Sequence, residues 1–187
     1  MLTMAGAPHG LGARVSRNQP GSWDVFIGHS RRSGQATTIA SKLFADLTSA
    51  GFSCWLDVNM GDMSTAAMEE GVVGSRFFLA IVTGPCVNPD CPDDTPETNA
   101  YFARPYCLQE LRWAIEAGVK IQPIVRSEDK PTIGEFMDAA PSDLKVLGEA
   151  MFIDLNYSDR EYWQVGLNKI IRTMGSSIDG SAAGGKS

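Results

Sequence analysis

Phe77-Phe-Leu-Ala-Ile-Val-Thr83 is an unbroken apolar run that closes on a threonine. A strand with one solvated face alternates apolar and polar residues, whereas a run that is apolar at every position is covered on both sides. That is the signature of a central strand in a parallel sheet. Upstream, Trp23 to Gly28 (WDVFIG) is a shorter strand of the same kind. A polar turn follows, then a helix in which Ile39, Leu43 and Leu47 recur at i, i+4 and i+8, closed by Gly51. Phe52 to Val58 reads as a second strand, Asn59 to Ser64 as a glycine-containing loop, and Thr65 to Arg76 as the helix leading into the central run.

Downstream the alternation continues. After a long Pro/Asp-rich loop, Pro105 to Ala117 is a helix, with Pro105 suited to its first turn and Gly118 to its end. Lys120 to Val125 is a fourth strand in which Pro123 demands a place away from the sheet centre or a local break in pairing. Ala150 to Leu155 is a fifth strand. Ser158-Asp-Arg-Glu161 has the form of a capping box, and the helix it opens offers Tyr162, Val165, Ile170, Ile171 and Met174 as an apolar face. The expected division is a flexible segment over 1–22, one domain over 23–174 and a flexible Gly/Ser/Ala tail over 175–187. Repeated strand-helix units imply a flavodoxin-like three-layer α/β fold with a five-stranded parallel sheet in the order 2-1-3-4-5. In such sheets ligands bind beyond the carboxyl ends of the strands, between strands 1 and 3.

Composition narrows the function. A chain of 187 residues, 43% hydrophobic and 20% charged, suits one globular domain. A net charge of -6 argues against a nucleic-acid partner, which needs a basic surface. No run is long and apolar enough to span a bilayer, and Pro8, Gly10, Gly12 and Arg14 interrupt any signal-peptide core, so a cytoplasmic location with no membrane partner is expected. Cys54 and Cys107 read as buried thiols. Cys86 and Cys91 are too widely spaced for a zinc knuckle and have no histidine nearby, so no metal site is expected.

The crevice brings chemistry-bearing residues together. The loop after strand 1 is Gly28-His29-Ser30-Arg31-Arg32-Ser-Gly34, and arginines beside a helix start favour phosphate. The helix after strand 3 begins Tyr106-Cys-Leu-Gln-Glu110-Leu-Arg-Trp113, where spacings of four and three place Tyr106, Glu110 and Trp113 on one stripe. Cys107, Leu108, Leu111 and Ile115 are the core-facing set beside it. An acid flanked by aromatics at a core margin suits a sugar and a base, and together with the arginines suggests a nucleotide. The bland readings are a solvated arginine pair and a surface glutamate.

Asp24-Val-Phe-Ile27 with the following His-Ser-Arg-Arg-Ser-Gly, Gly51-Phe-Ser-Cys-Trp-Leu-Asp57, Ser75-Arg-Phe-Phe with Thr83, and Cys107-Leu-Gln-Glu110-Leu together resemble a TIR (Toll/interleukin-1 receptor) domain. The resemblance spans about Trp23 to Met174. Other flavodoxin-like classes fit less well: a phosphoacceptor receiver needs an aspartate where this chain has Thr83, and a flavodoxin a Thr/Ser-rich loop where it has Arg31 and Arg32.

TIR domains either scaffold signalling by homotypic assembly or cleave NAD, in signalling and innate-immune defence. The enzymatic class resembles this chain in a glutamate on the helix after strand 3, preceded four residues earlier by an aromatic. Glu110 matches the glutamate as the catalytic residue, and Tyr106 takes a position that is commonly tryptophan. Arg31 matches a basic residue of the first loop, while Ser30 stands where some members carry another arginine. The resemblance thus implies an NAD glycohydrolase or cyclase with NAD as substrate and no cofactor; Gly28, His29, Ser30, Arg31, Arg32, Tyr106 and Trp113 are the candidate substrate-binding residues, although Trp113 has no counterpart in the family and reads more readily as a packing residue. It also implies self-association into a homo-oligomer through the BB loop, Asn59, Met60, Gly61, Asp62 and Met63 before Ser64. The alternative is a non-catalytic adaptor. The loop from Gly84 to Arg104, with Pro85, Pro89, Pro92 and Pro96, is expected to border the site.

Overall fold

The computed structural model describes residues 23–91 and 93–180. Five parallel strands, β1 (Trp23–His29), β2 (Cys54–Trp55), β3 (Ser75–Ile81), β4 (Lys120–Arg126) and β5 (Ile153–Leu155), form one sheet in the order β2-β1-β3-β4-β5. The helices are α1 (Gly34–Ser49), α2 (Thr65–Val73), α3 (Pro105–Glu116), α4 (Ile133–Asp138) and α5 (Arg160–Gly180). The expected flavodoxin-like order is therefore the observed one.

The apolar run of β3 divides by alternation. Phe77, Leu79 and Ile81 pack with α1 and α5, while Phe78, Ala80 and Val82 pack with α2 and α3. Each face buries its own cluster, so a strand with no polar alternation is what this position requires. On the second face Phe26 stacks on Trp55 at 4.4 Å and on Phe78 at 5.0 Å between ring centroids, tying three adjacent strands together.

Several boundaries differ from the sequence reading. The second strand contracts from Phe52–Val58 to two residues, because Asp57–Asn59 folds into a 3-10 turn that carries the chain off the sheet edge. α2 stops at Val73 because Gly74 caps it and Ser75 already pairs with Trp23. The last helix is capped by Asp159, whose carboxylate accepts from the Tyr162 N–H at 2.9 Å, so the box over Ser158 and Glu161 does not form. With the helix in that phase Trp163, Leu167, Ile170 and Met174 face the core, while Tyr162 and Val165 are exposed. α5 also continues to Gly180, past the expected boundary at 175, while residues 1–22 and 181–187 lie outside the described set.

Pro123 sits where pairing begins. The Val82 N–H donates to the Ile124 carbonyl, so alternate residues of β4 turn toward β5, and β5 pairs only from Ile124 onward. The missing N–H of Pro123 therefore falls beyond the β5 ladder, and Gln122 Nε2 bridges the Pro123 and Met151 carbonyls instead. Among the described residues no helix is long and apolar enough to cross a membrane.

Candidate active site

A cavity of about 750 Å³ opens at the carboxyl ends of β1, β2 and β3. Parallel strands deliver their following loops to the same edge, which is why the first loop, Asp57 and the start of α3 meet there. Its lining includes His29, Arg31 and Arg32 from the first loop, Asp57 and Met63 from the segment after β2, and Arg104, Tyr106, Cys107 and Glu110 from α3 and its approach. The long loop contributes Asn88, Asp90 and Cys91, so it does border this cavity. Pro92 of that loop lies outside the described residues.

Glu110 is the deepest acid of this lining. Its residue is 7% exposed, and among the described residues no cation pairs with it. Burial, reinforced by the nearby charge of Asp57, lifts its pKa to about 8. The groups around it are neutral for the same reason: burial holds the His29 imidazole below its usual range and pushes the Cys107 thiol and Tyr101 phenol well up. Among the described residues, His29 Nε2 and Tyr101 Oη are buried without a hydrogen-bond partner. The Cys107 thiol donates to the His29 carbonyl at 3.5 Å, fixing the first turn of α3 against the end of β1.

Gly28 does not line the cavity; it makes room beneath it. A Cβ there would fall 2.4 Å from the Phe78 ring and 3.4 Å from Glu110 Oε2, so only glycine lets both side chains approach β1.

The mouth is charged. Arg31 Nε lies 3.3 Å from Asp57, and Arg32 Nε 3.5 Å from Asp94 while its guanidinium also contacts Cys91. Both arginines are about half exposed, so a phosphate can join these pairs from solvent. Tyr106 is 59% exposed and lines the same cavity. Arg104 is a cation of this lining that the sequence reading missed. It is held by the Thr98 carbonyl at 3.2 Å and Asp94 at 3.9 Å, and its position just before Pro105 is the signal that could have found it. Asp57 was likewise missed, although the end of β2 points to the same edge as the other strand ends.

Two expected substrate contacts lie elsewhere. Ser30 is fully buried and its hydroxyl donates to the Asn99 carbonyl at 2.9 Å, tying the first loop to the long one rather than facing the cavity. Trp113 is buried in the cluster shared by α2, α3 and the sheet, two turns below the opening. The core-facing set of α3 is also rotated toward the acid: Cys107, Glu110, Leu111, Trp113 and Ala114 are buried, whereas Ile115 is 42% exposed. In the Asn59–Ser64 loop, Met63 Sδ contacts Arg31 and the side chain lines the cavity, while Met60 packs against the core cluster. Gly61 has open space around it and an ordinary negative φ, so its backbone does not require glycine.

The family model described as TIR domain matches residues 25–170. The chain belongs to the TIR domain family. Among solved structures, the TIR domains of the activated Roq1 resistosome directly recognizing the pathogen effector XopQ match with a TM-score of 0.55 at 15% identity, over 82% of this chain and 99% of that one. The CMP N-glycosidase BcmB of Clostridium botulinum matches with a TM-score of 0.45 at 15% identity, over 80% of this chain and 98% of that one. No curated protein matches the chain. The first likeness bears on the TIR fold alone; the second is too distant to carry an argument.

Proposed function

We propose that this TIR domain cleaves NAD at the nicotinamide–ribose bond, giving nicotinamide and either ADP-ribose or a cyclic ADP-ribose, in a signalling or defence role. The observation that carries the reading is Glu110: a carboxyl buried beneath an arginine-rimmed cavity, with no cation to pair it, is costly to keep unless it acts on a ligand. The ligand that best repays it is cationic at one end and anionic at the other. NAD has a pyridinium for Glu110 and a diphosphate for Arg31, Arg32 and Arg104, with Tyr106 available to stack on a ring.

Nicotinamide leaves as a neutral molecule. The C–N bond breaks with its electron pair passing to the pyridinium nitrogen, so no general acid is needed, unlike ordinary glycoside hydrolysis with its two carboxyl groups. What the site must do is stabilise positive charge developing on the ribose. A bound pyridinium favours ionisation of Glu110, which releases its proton to solvent, and the carboxylate then faces the oxocarbenium-like carbon in a water-poor floor. Water addition to that carbon releases one proton and gives ADP-ribose; attack by a nucleophilic group of the same molecule gives a cyclic product.

Assembly with further copies through the Asn59–Ser64 loop belongs to the same proposal. Because Met63 both lines the cavity and stands 50% exposed, a neighbour docking on that loop would narrow the mouth. The test is incubation of concentrated purified protein with NAD and chromatography of the products. Release of nicotinamide supports the reading; intact NAD together with protein self-association would leave the adaptor role.

A further inference from the structure

A second cavity, of about 340 Å³, lies behind the strap that carries Arg104 and Tyr106 to the active-site mouth. Phe102 and Phe136 supply aromatic walls, and alanines fill much of the remainder. The Phe136 ring rests against Gly84, where an added Cβ would fall 2.2 Å from it, so glycine sets how deep that end runs. The floor includes Thr83, a residue 2% exposed whose hydroxyl is buried and makes no hydrogen bond among the described residues. Two exposed carboxylates, Glu97 and Glu135, complete the lining, which holds no lysine, arginine or histidine.

Each feature restricts the occupant. Two acids with no cation in the lining repel phosphates and carboxylates, and they favour a positive group at the opening. Glu97 is the firmer of the two, since its own backbone N–H and the Thr95 hydroxyl hold its carboxyl below the usual range. Phenylalanine walls add cation-π attraction and prefer a flat apolar body. An unsatisfied hydroxyl at the floor is costly in the free protein, and a ligand polar group that reaches it on a slight shift of Phe136 removes that cost. The volume is at the lower end for small-molecule sites. We infer that this cavity is a second ligand site, selective for a small aromatic ammonium compound and separate from the Glu110 cavity.

The strap gives the site a route to the mouth. The Tyr101 N–H donates to the Thr83 carbonyl at 2.9 Å, and Asn99 joins the same strap to Ser30 of the first loop and, through Nδ2, to the Cys86 carbonyl. Glu97, Ala100, Phe102 and Ala103 face the second cavity, and Arg104 and Tyr106 the first.

The test uses phenethylammonium as the probe, with phenethyl alcohol and phenylacetate as neutral and anionic counterparts of similar shape, in saturation-transfer NMR and calorimetric titration of the full chain. The expected result is that the ammonium compound binds at least tenfold more tightly than the alcohol, and phenylacetate does not bind. The Glu97→Gln/Glu135→Gln double variant, altered only on the surface, should lose at least tenfold in affinity for the cation. Glu110→Gln should bind the cation as the native chain does, so that the outcome is independent of NAD cleavage. Absence of binding at millimolar probe, equal binding of cation and alcohol, or binding abolished by Glu110→Gln but untouched by the double variant would overturn the inference.

Discussion

Gly28 and Glu110 meet across the end of β1: the carboxyl oxygen Oε2 comes within 3.4 Å of the point where a side chain on residue 28 would begin. The acid can lie this deep because the strand beneath it has no side chain, and the Phe78 ring occupies the rest of the space. Gly28→Ala puts a methyl 2.4 Å from that ring, which is itself fully buried and stacked on Phe26. Overpacking of this kind costs about 1–3 kcal/mol. The expected outcome is a melting temperature lower by several degrees, with nicotinamide release reduced below the melting range because Phe78 is displaced toward the acid. A variant with native stability and native turnover would show that the close approach has no functional meaning.

The pKa of Glu110, raised from its ordinary value to about 8, makes stability depend on pH. Between those two values the folded chain holds a proton that the unfolded chain has lost. The stability present below the unfolded value is therefore lost progressively as pH rises through the folded one, by up to about 3 kcal/mol at pH 7. Glu110→Gln removes this slope. Melting temperatures of the two proteins at pH 5 and pH 8 should diverge, the native chain losing more; parallel curves would place the acid in the ordinary carboxylate range.

The same group sets the rate. If the ionised form is the working one, kcat/KM should rise nearly tenfold per pH unit through pH 6 to 7 and level off above about 8. A plateau already reached at pH 5.5 would contradict this.

Assembly is tested at Gly61, since Met63 lines the cavity and a change there would mix two effects. Gly61 is surrounded by open space, so Gly61→Trp should fold normally. Specific activity of the native chain should climb over a hundredfold range of protein concentration, in step with light scattering, by mass action. The variant should stay monomeric and poorly active. A flat activity curve from a strictly monomeric native chain would remove assembly from the account.

The sheet order was legible because the run Phe77–Val82 is apolar at every position and α1 and α5 each declare one apolar face. Glu110, Arg31, Arg32, His29 and Tyr106 were legible as cavity residues because parallel strands bring their loops to one edge. What escaped depended on distance along an element rather than on its period. Tyr106 and Trp113 share a stripe of α3, yet the first stands at the open end and the second is buried in a core cluster. The buried arc of α3 turns roughly 80° toward Glu110, at about 100° per residue, and the room for that acid comes from a glycine on β1 that no periodicity records. Ser30 looked like a ligand residue by its place in the loop; its hydroxyl is committed to a carbonyl 69 residues away in sequence.

The central claim is that the charge of Glu110 drives bond cleavage in NAD. Its most direct test is the rate of nicotinamide release by native protein and by Glu110→Gln at pH 8, at equal and high concentration, with matched circular dichroism spectra. The amide is nearly isosteric but uncharged. Losing one preorganised electrostatic contribution should slow the reaction about 100-fold, on the order of 3 kcal/mol in the barrier. Near-native turnover by the folded Glu110→Gln protein would contradict the account.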